Sequence, residues 1–290
     1  MALKVTLLNP QTVRDTRLLT GSFASICKET QDCVVNEQRF KRIGEHCMES
    51  GHFSPSRHFL YVFRIEGVSR VCTHQLVRHS IGVAINQSSG VFTETSAEAG
   101  NYNIIPPAVD ALLKKDPALQ DQYNALVAAS EQFTKALRDL GASNNDARYF
   151  TFNAVNSSLN MAFTPEAFFH MCNERLCMKA QWEIRAVVRA MVKEVLAVDP
   201  WLAQFCVPKC VKFNGCTEKL SCGYYVNYCN MKLPLHGQVP TRPIEERIKV
   251  YKCKNCGTTL QFKDDDIVPG KLDDKTIVCR ACERENEGEE

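Results

Sequence analysis

Two Cys-x-x-Cys pairs, Cys253–Cys256 and Cys279–Cys282, stand 22 residues apart near the end of this chain, and no other feature restricts its folding as tightly. Four thiolates on two tight knuckles make a closed tetrahedral zinc site with no position left for water, which is a structural role. A segment of about forty residues buries too little apolar surface to fold alone. A structural zinc contributes on the order of 10 kcal/mol of apparent folding energy and removes that difficulty. A zinc ribbon is therefore expected over 248–283, after an extended linker at 233–247 (LPLHGQVPTRPIEER) and before a fraying acidic tail at 284–290. Ribbons contact nucleic acid or protein partners as well as brace folds, and Lys249, Lys252, Lys254 and Arg280 are too few to decide between these.

The remaining cysteines need a different account. The chain has 15, an odd number that argues against a simple disulfide framework. The start, MALKVTLLNP, lacks the basic-then-apolar layout of a signal peptide, and no apolar run reaches the roughly 18 residues a membrane helix needs. A cytoplasmic protein with reduced thiols is expected, without membrane contact. Cys27, Cys33, Cys47, Cys72, Cys172 and Cys177 mostly neighbour apolar residues and read as small buried hydrophobes. Cys206, Cys210, Cys216, Cys222 and Cys229 follow no trusted zinc spacing; they are either a second metal site or reduced thiols packed on the main domain. With 44% hydrophobic and 23% charged residues the chain is globular, not disordered, and a net charge of +2 implies no global attraction to nucleic acid or anionic membrane.

Ahead of the linker, residues 1–232 read as one large α+β domain with a Cys-rich end. VTLL near the start is strand-like, and TVRDTRLLTGSFASICKE carries apolar residues at helical spacing. A turn-like GHFSPS precedes a strand, HFLYVFRIEG, and helical spacing returns from Val68 to His79, which puts Arg78 and His79 at a helix end. DALLKKDPALQDQYNALVAASEQFTKALRDLG is strongly helical with one break at Asp116-Pro117. Thr164-Pro165-Glu166 supplies a cap, a first-turn proline and a dipole-favoured acid, so a helix is expected from there to about Ala197. Its apolar stripe runs through Leu176, Cys177, Ala180, Ile184, Val187, Val188, Met191, Val192 and Val195, with Arg175 at the edge, where it either reaches a pocket or is solvated.

No Gly-rich phosphate loop, His-Glu-x-x-His helix or Gly-x-Ser-x-Gly elbow is present. The informative run is THQLVRHSIGVAINQSSGVF at 73–92, which sets amide, arginine, histidine and hydroxyl side chains within a few residues. An arginine fork suits phosphate or a ring carbonyl, and glutamine and serine add neutral hydrogen bonds. Such a run fits an anionic nucleotide pocket, and a polar helix end followed by a turn would look much the same.

With its neighbours this run resembles the flavin-dependent thymidylate synthases. Their signature is Arg-His-Arg, seven residues and Ser; here Arg78, His79 and Ser88 match, and Ser80 replaces the second arginine. Gln75 matches upstream, as does the His52-Phe53-Ser54-Pro55 turn. NERLCMKAQWEIR resembles the family's Ala-Gln-Trp-Glu-Ile-Arg helix, and Asp146-Ala147-Arg148 its segment with a nucleotide-binding arginine. The matches occur in family order and span about 4–223; the zinc-ribbon segment lies outside them.

The resemblance implies the family's α+β fold, with a mixed sheet and long helices, and a homotetramer whose active sites form between subunits. It implies C5 methylation of dUMP to dTMP with FAD, NADPH and methylenetetrahydrofolate, and no cysteine nucleophile. By position, Arg175 would stabilise charge on the pyrimidine. Gln75, Arg78, Gln87, Ser88, Ser89, Gly90 and Arg148 would hold the nucleotide, and His52, Ser54, Arg78, His79, Gln87 and His170 the flavin.

The departures are specific. Either Gly90 or, with a one-residue insertion, Val91-Phe92 stands where the family carries arginine, so an arginine expected at the nucleotide phosphate is missing. Losing one charge-assisted hydrogen bond costs about 1.5–3 kcal/mol, or roughly tenfold to a hundredfold in affinity. Thr164 and Glu166 replace family asparagine and arginine near the flavin, although both also serve as helix-cap residues. Two other readings follow: a variant pyrimidine modifier (hydroxymethylation, a cytosine nucleotide, or uracil in nucleic acid), or a degenerate binding protein. Retention of Arg175, Arg148, Gln75 and His79 argues against the last.

Overall fold

The computed structural model describes residues 2–26, 36–89, 103–225, 248–252 and 259–263. Two compact units divide the chain: Met1–Met171 with Trp182–Leu202, and Cys172–Gln181 with Ala203–Glu290. The linker expected at 233–247 and the four ribbon cysteines lie outside the described residues.

The first unit is built on a four-stranded sheet, β1 (Lys4–Leu7), β2 (Tyr61–Ser69), β3 (Val83–Gln87) and β4 (Asn156–Phe163), in the order β1-β2-β4-β3. Every pair in it is antiparallel, which corrects the expected mixed sheet. Period-two alternation explains its buried face. Tyr61, Phe63 and Ile65 of β2 and Leu159, Met161 and Phe163 of β4 are buried and stand opposite one another in register. Phe168 closes the cluster, with its ring centroid 5.5 Å from those of both Tyr61 and Phe63.

Helices α1 (Thr16–Ser25) and α2 (Glu37–Glu49) start at the side-chain caps Asp15 and Asn36. They touch backbone to backbone. A Cβ on Gly21 would lie 1.8 Å from the Phe40 carbonyl oxygen, and one on Gly44 1.9 Å from that of Arg17. The break expected at Asp116-Pro117 separates α4 (Pro107–Leu113) from α5 (Pro117–Asp139), with Asp116 accepting from the Ala118 and Leu119 amides. The short α6 (Asn144–Ala147) passes into a 3-10 turn at Arg148–Phe150. Among the described residues no helix is long and apolar enough to cross a membrane.

Three sequence expectations are corrected. The helix placed from Val68 to His79 is α3 (Arg70–Leu76): Val68 and Ser69 still pair with β4, and Ser69 then caps the helix. The single helix from Thr164 to Ala197 is two, α7 (Pro165–Arg175) and α8 (Trp182–Val198). The stripe's Ile184, Val187, Val188, Met191, Val192 and Val195 are buried on α8 as expected, whereas Leu176, Cys177 and Ala180 lie in the non-helical stretch between. The sequence pattern does not mark strands β3 and β4, the first because it sits inside the polar run 73–92 and the second because Ser157 takes an inward position among its apolar residues.

In the second unit, α9 (Lys209–Lys212) follows Pro208, and β5 (Ile248–Lys252) pairs antiparallel with β6 (Thr259–Lys263). Asn173 Nδ2 donates to the Val207 carbonyl at 2.7 Å, tying 172–181 to the segment after 203. All eight described cysteines are free thiols. Of the six scattered cysteines, Cys72 and Cys172 are buried and Cys47 and Cys177 half-buried; Cys27 and Cys33 lie outside the described residues.

Two outcomes test this packing. Gly44→Ala should lower stability by about 1–3 kcal/mol in urea unfolding, because the helices must separate; an unchanged midpoint would contradict the close approach. Asp199 is buried and accepts the Thr16 amide at 2.8 Å. Burial, partly offset by that bond, raises its carboxyl above the ordinary 3.8. A carboxyl raised in the folded state favours folding while protonated, and that contribution is lost as pH rises through the folded value. Asp199→Asn, which cannot ionise, should gain stability relative to the parent as pH rises from the ordinary carboxyl range through the raised folded value. Parallel pH profiles would show that this group is not coupled to folding.

Candidate active site

The polar run is positioned by one buried acid. Glu183, in the first turn of α8, accepts from the Ser69 amide at 2.6 Å through one carboxylate oxygen and from the Ser69 hydroxyl at 2.5 Å through the other. The same hydroxyl accepts the Cys72 amide at 3.0 Å, capping α3. Where β2 becomes α3 is thereby fixed, and α3 carries Thr73 and Gln75 and ends just before Arg78 and His79. Glu183 was missed as a site-building residue. Its signal was available, since it stands four residues before Val187 on the apolar stripe, where an acid needs a buried partner.

The chain then turns at Gly82 (φ 70°), whose carbonyl accepts the Thr164 amide at 2.9 Å. A Cβ there would lie 2.7 Å from Thr164 Oγ1, so the turn requires glycine. Thr164 Oγ1 in turn accepts the Ala167 amide at 3.3 Å, as a cap for α7. His79 and His170 meet edge to face across this junction, ring centroids 6.3 Å apart. Ser80, in the place of an arginine, is exposed beside Gly82.

On β3, Gln87 Nε2 donates to Thr73 Oγ1 and to Ser157 Oγ, both at 3.1 Å. Ser88 Oγ lies 3.1 Å from Ser157 Oγ and accepts the Ser158 amide at 3.2 Å. Gln87 and Ser88 therefore join one network with Thr73 and Ser157, two residues the sequence reading did not single out. With both Nε2 hydrogens engaged, the remaining polar atom of Gln87 is its carbonyl oxygen, an acceptor. Ser89 is half-buried; Gly90, Val91 and Phe92 lie outside the described residues.

The other candidates are placed as follows. His52 is exposed just after α2, and Ser54 begins a 3-10 helix, Ser54–His58. From that helix Arg57 donates to one oxygen of Glu166, Nε at 2.7 Å and Nη2 at 2.6 Å, which neutralises the acid. Arg148 is exposed at the corner between α6 and its 3-10 turn, and no hydrogen bond among the described residues links it to the Gln87 network. Arg175 is half-buried in the last turn of α7, where a cation also complements the helix dipole.

In the second unit the Cys-rich group sorts differently from its order in sequence. Cys206 hydrogen-bonds to Cys172, whose thiol burial pushes well above its ordinary value. Cys177, Cys210, Cys216 and Cys222 instead line one small cavity. Burial first, and then Cys222, Cys177 and Cys216, push the Cys210 thiol up to about 11. Cys229 lies outside the described residues.

Residues 10–201 match the sequence model of the thymidylate synthase complementing protein family, a span that contains every candidate residue from His52 to Arg175. The chain belongs to this family. The flavin-dependent thymidylate synthase of Nitratidesulfovibrio vulgaris is 35% identical over 185 residues, 61% of this chain and 74% of that protein. The enzyme of the same name from Sulfolobus acidocaldarius is 36% identical over 163 residues, covering 56% and 59%, and that of Clostridium tetani 30% identical over 244 residues, covering 77% and 94%. Among solved structures, a UMP/dUMP methylase from Streptomyces cacaoi bound with 5-Br dUMP shares the fold, with a TM-score of 0.52, 16% identity, and coverage of 69% of this chain and 92% of that one.

The clasp predicts a measurable cost. Ser69→Ala removes the α3 cap and leaves a carboxylate oxygen of Glu183 without its donor, so it should destabilise the protein by about 1–3 kcal/mol in thermal or urea unfolding. A change within experimental scatter would mean that Glu183 does not hold this junction.

Proposed function

We propose that this chain is a flavin-dependent thymidylate synthase that reductively methylates dUMP at carbon 5 to give dTMP, using methylenetetrahydrofolate and NADPH. The observation that carries the proposal is family membership across residues 10–201. Within that span the chain keeps Gln75, Arg78, His79, Arg148 and Arg175.

The residues present suit FAD. Arg78 and His52 are exposed, Ser54 offers a hydroxyl, and the His79–His170 pair adds ring surface with nitrogen at its edge, a donor set matched to phosphate oxygens and a flat ring system. Gln87 is assigned to both nucleotide and flavin. Bound FAD would supply the hydride and one-carbon transfer chemistry, while the protein binds, orients and polarises. Gln75, Gln87, Ser88, Ser89, Gly90 and Arg148 are assigned to the nucleotide, along with Arg78. The free carbonyl of Gln87 suits an imide N–H such as that of uracil. Arg175 is assigned, by family position, to stabilise the negative charge that develops on the pyrimidine, an effect worth a few kcal/mol in such sites.

The assembly proposed is a homotetramer. Leu119, Leu126 and Phe133 recur at seven-residue steps along α5 and are all exposed, an apolar stripe suited to a partner helix. Residues 248–283 are assigned to a zinc ribbon held by Cys253, Cys256, Cys279 and Cys282, with β5 and β6 bordering the first pair. Residues 1–232 make the catalytic domain with its Cys-rich end, 233–247 the linker and 284–290 the acidic tail. The ribbon is a candidate contact for nucleic acid or protein, and the enzyme is assigned to the cytoplasm.

The deciding experiment incubates the purified protein with FAD, NADPH, methylenetetrahydrofolate and dUMP, with deoxycytidylate in parallel, and reads the product mass. Thymidylate is expected. A hydroxymethyl product, or reaction with the cytosine nucleotide alone, would overturn dUMP methylation. Arg175→Ala should cut turnover at least a hundredfold, by about 3 kcal/mol or more, and leave FAD bound; undiminished turnover would refute its role.

A further inference from the structure

Among its described residues the second unit has little from which to build a core. The buried apolar side chains among them are Cys172, Leu176, Cys206, Val207, Pro208 and Cys210, so three of six are cysteine. That is too little aliphatic surface to hold an irregular stretch with one four-residue helix. Such segments are held by disulfides or by a metal. Disulfides are absent among the described cysteines.

The cavity formed by this unit supplies the other means. Its wall carries four thiols, contributed by Cys177 from the stretch after α7, by Cys210 from α9 and by Cys216 and Cys222 from the chain that follows it. The last three are spaced by five residues each, so no pair makes a Cys-x-x-Cys knuckle and the fold alone brings the four together. Two lysines, Lys179 and Lys209, and one carboxylate, Glu218, share the lining, and Lys209 Nζ lies 2.8 Å from Glu218. The surplus positive charge suits a centre that is itself negative, as a divalent ion with four thiolates is. Among the described residues no three His, Cys, Asp or Glu side chains already stand as a ready-made cage. The thiols surround the cavity, and an ion is what would draw them inward, since in small metal domains binding and ordering are one step.

We propose that Cys177, Cys210, Cys216 and Cys222 are the ligands of a closed structural zinc site, separate from that assigned to the ribbon. Binding displaces the thiol protons to solvent, and the tetrahedral all-sulfur set leaves no position open for catalysis. The flavin chemistry has no part in it.

The test uses the full chain and a Cys253→Ser/Cys279→Ser variant, which removes ribbon ligands and leaves the proposed site intact. After desalting, elemental analysis should find one zinc per variant chain. Exchange with cobalt(II) should give the thiolate charge-transfer and tetrahedral d–d bands of an all-sulfur site. Iodoacetamide mapping should find these four cysteines protected together and released together by a chelator. Adding Cys210→Ser/Cys216→Ser should remove the remaining zinc. Should that protein not fold, the cobalt spectrum and the protection map of the parent variant decide alone. Absence of zinc from the variant, alkylation of the four thiols before chelation, or iron with acid-labile sulfide in place of zinc would overturn the proposal. None of these readouts depends on turnover, so failure here leaves the thymidylate assignment standing, and failure of that assignment leaves this one.

Discussion

One carboxylate organises the site. Glu183 is buried at the start of α8 and gives one oxygen to the amide and the other to the hydroxyl of Ser69. Burying a carboxylate is expensive unless its oxygens are matched by donors, and a half-satisfied acid there would cost several times what a surface group would. The match therefore sets where the second strand must stop and α3 begin. From that point the chain has few choices: a seven-residue helix, a glycine turn against Thr164, and a strand that returns along β4. Arg78, His79, Gln87 and Ser88 lie along that path.

A second constraint acts through hydroxyls. Gln87 is held by Thr73 and Ser157, and Ser88 by Ser157 and the Ser158 amide, so these amide and hydroxyl groups are oriented before any ligand arrives. Fixing them in advance reduces the side-chain entropy that binding must overcome. Arg57 places its guanidinium 2.6 Å from Glu166, so that acid does not stand unpaired.

Much of this was legible in the sequence, and the failures have physical causes. The Asp116-Pro117 break, the Thr164 cap and the buried stripe of α8 all follow from local rules, because cap, proline and periodicity act within a turn or two. The interruption at 176–181 does not. Leu176, Cys177 and Ala180 continue the helical spacing of Ile184 and Val187, so the pattern alone extends the helix through a stretch that is non-helical between α7 and α8. β4 was hidden for a related reason: Ser157 occupies an inward position because it serves the Gln87 network, and a polar residue on the buried face conceals the alternation that marks a strand. Family resemblance supplied Arg148 and Arg175, which no local pattern distinguishes from surface arginines.

The cysteines divide by what surrounds them rather than by spacing. Cys206 reads in sequence with Cys210 as a close pair, yet it faces Cys172 in a dry contact, while Cys177, some thirty residues earlier by the roughest reach of the chain, shares a cavity with Cys210, Cys216 and Cys222. A thiol against one other thiol in an apolar setting stays protonated and acts as a hydrophobe. Four thiols around one cavity with lysines in its wall are a different chemical object, because a single cation placed among them can take all four sulfurs as ligands. Among the described residues, the composition of the second unit gives these thiols structural work that its few aliphatic side chains cannot do.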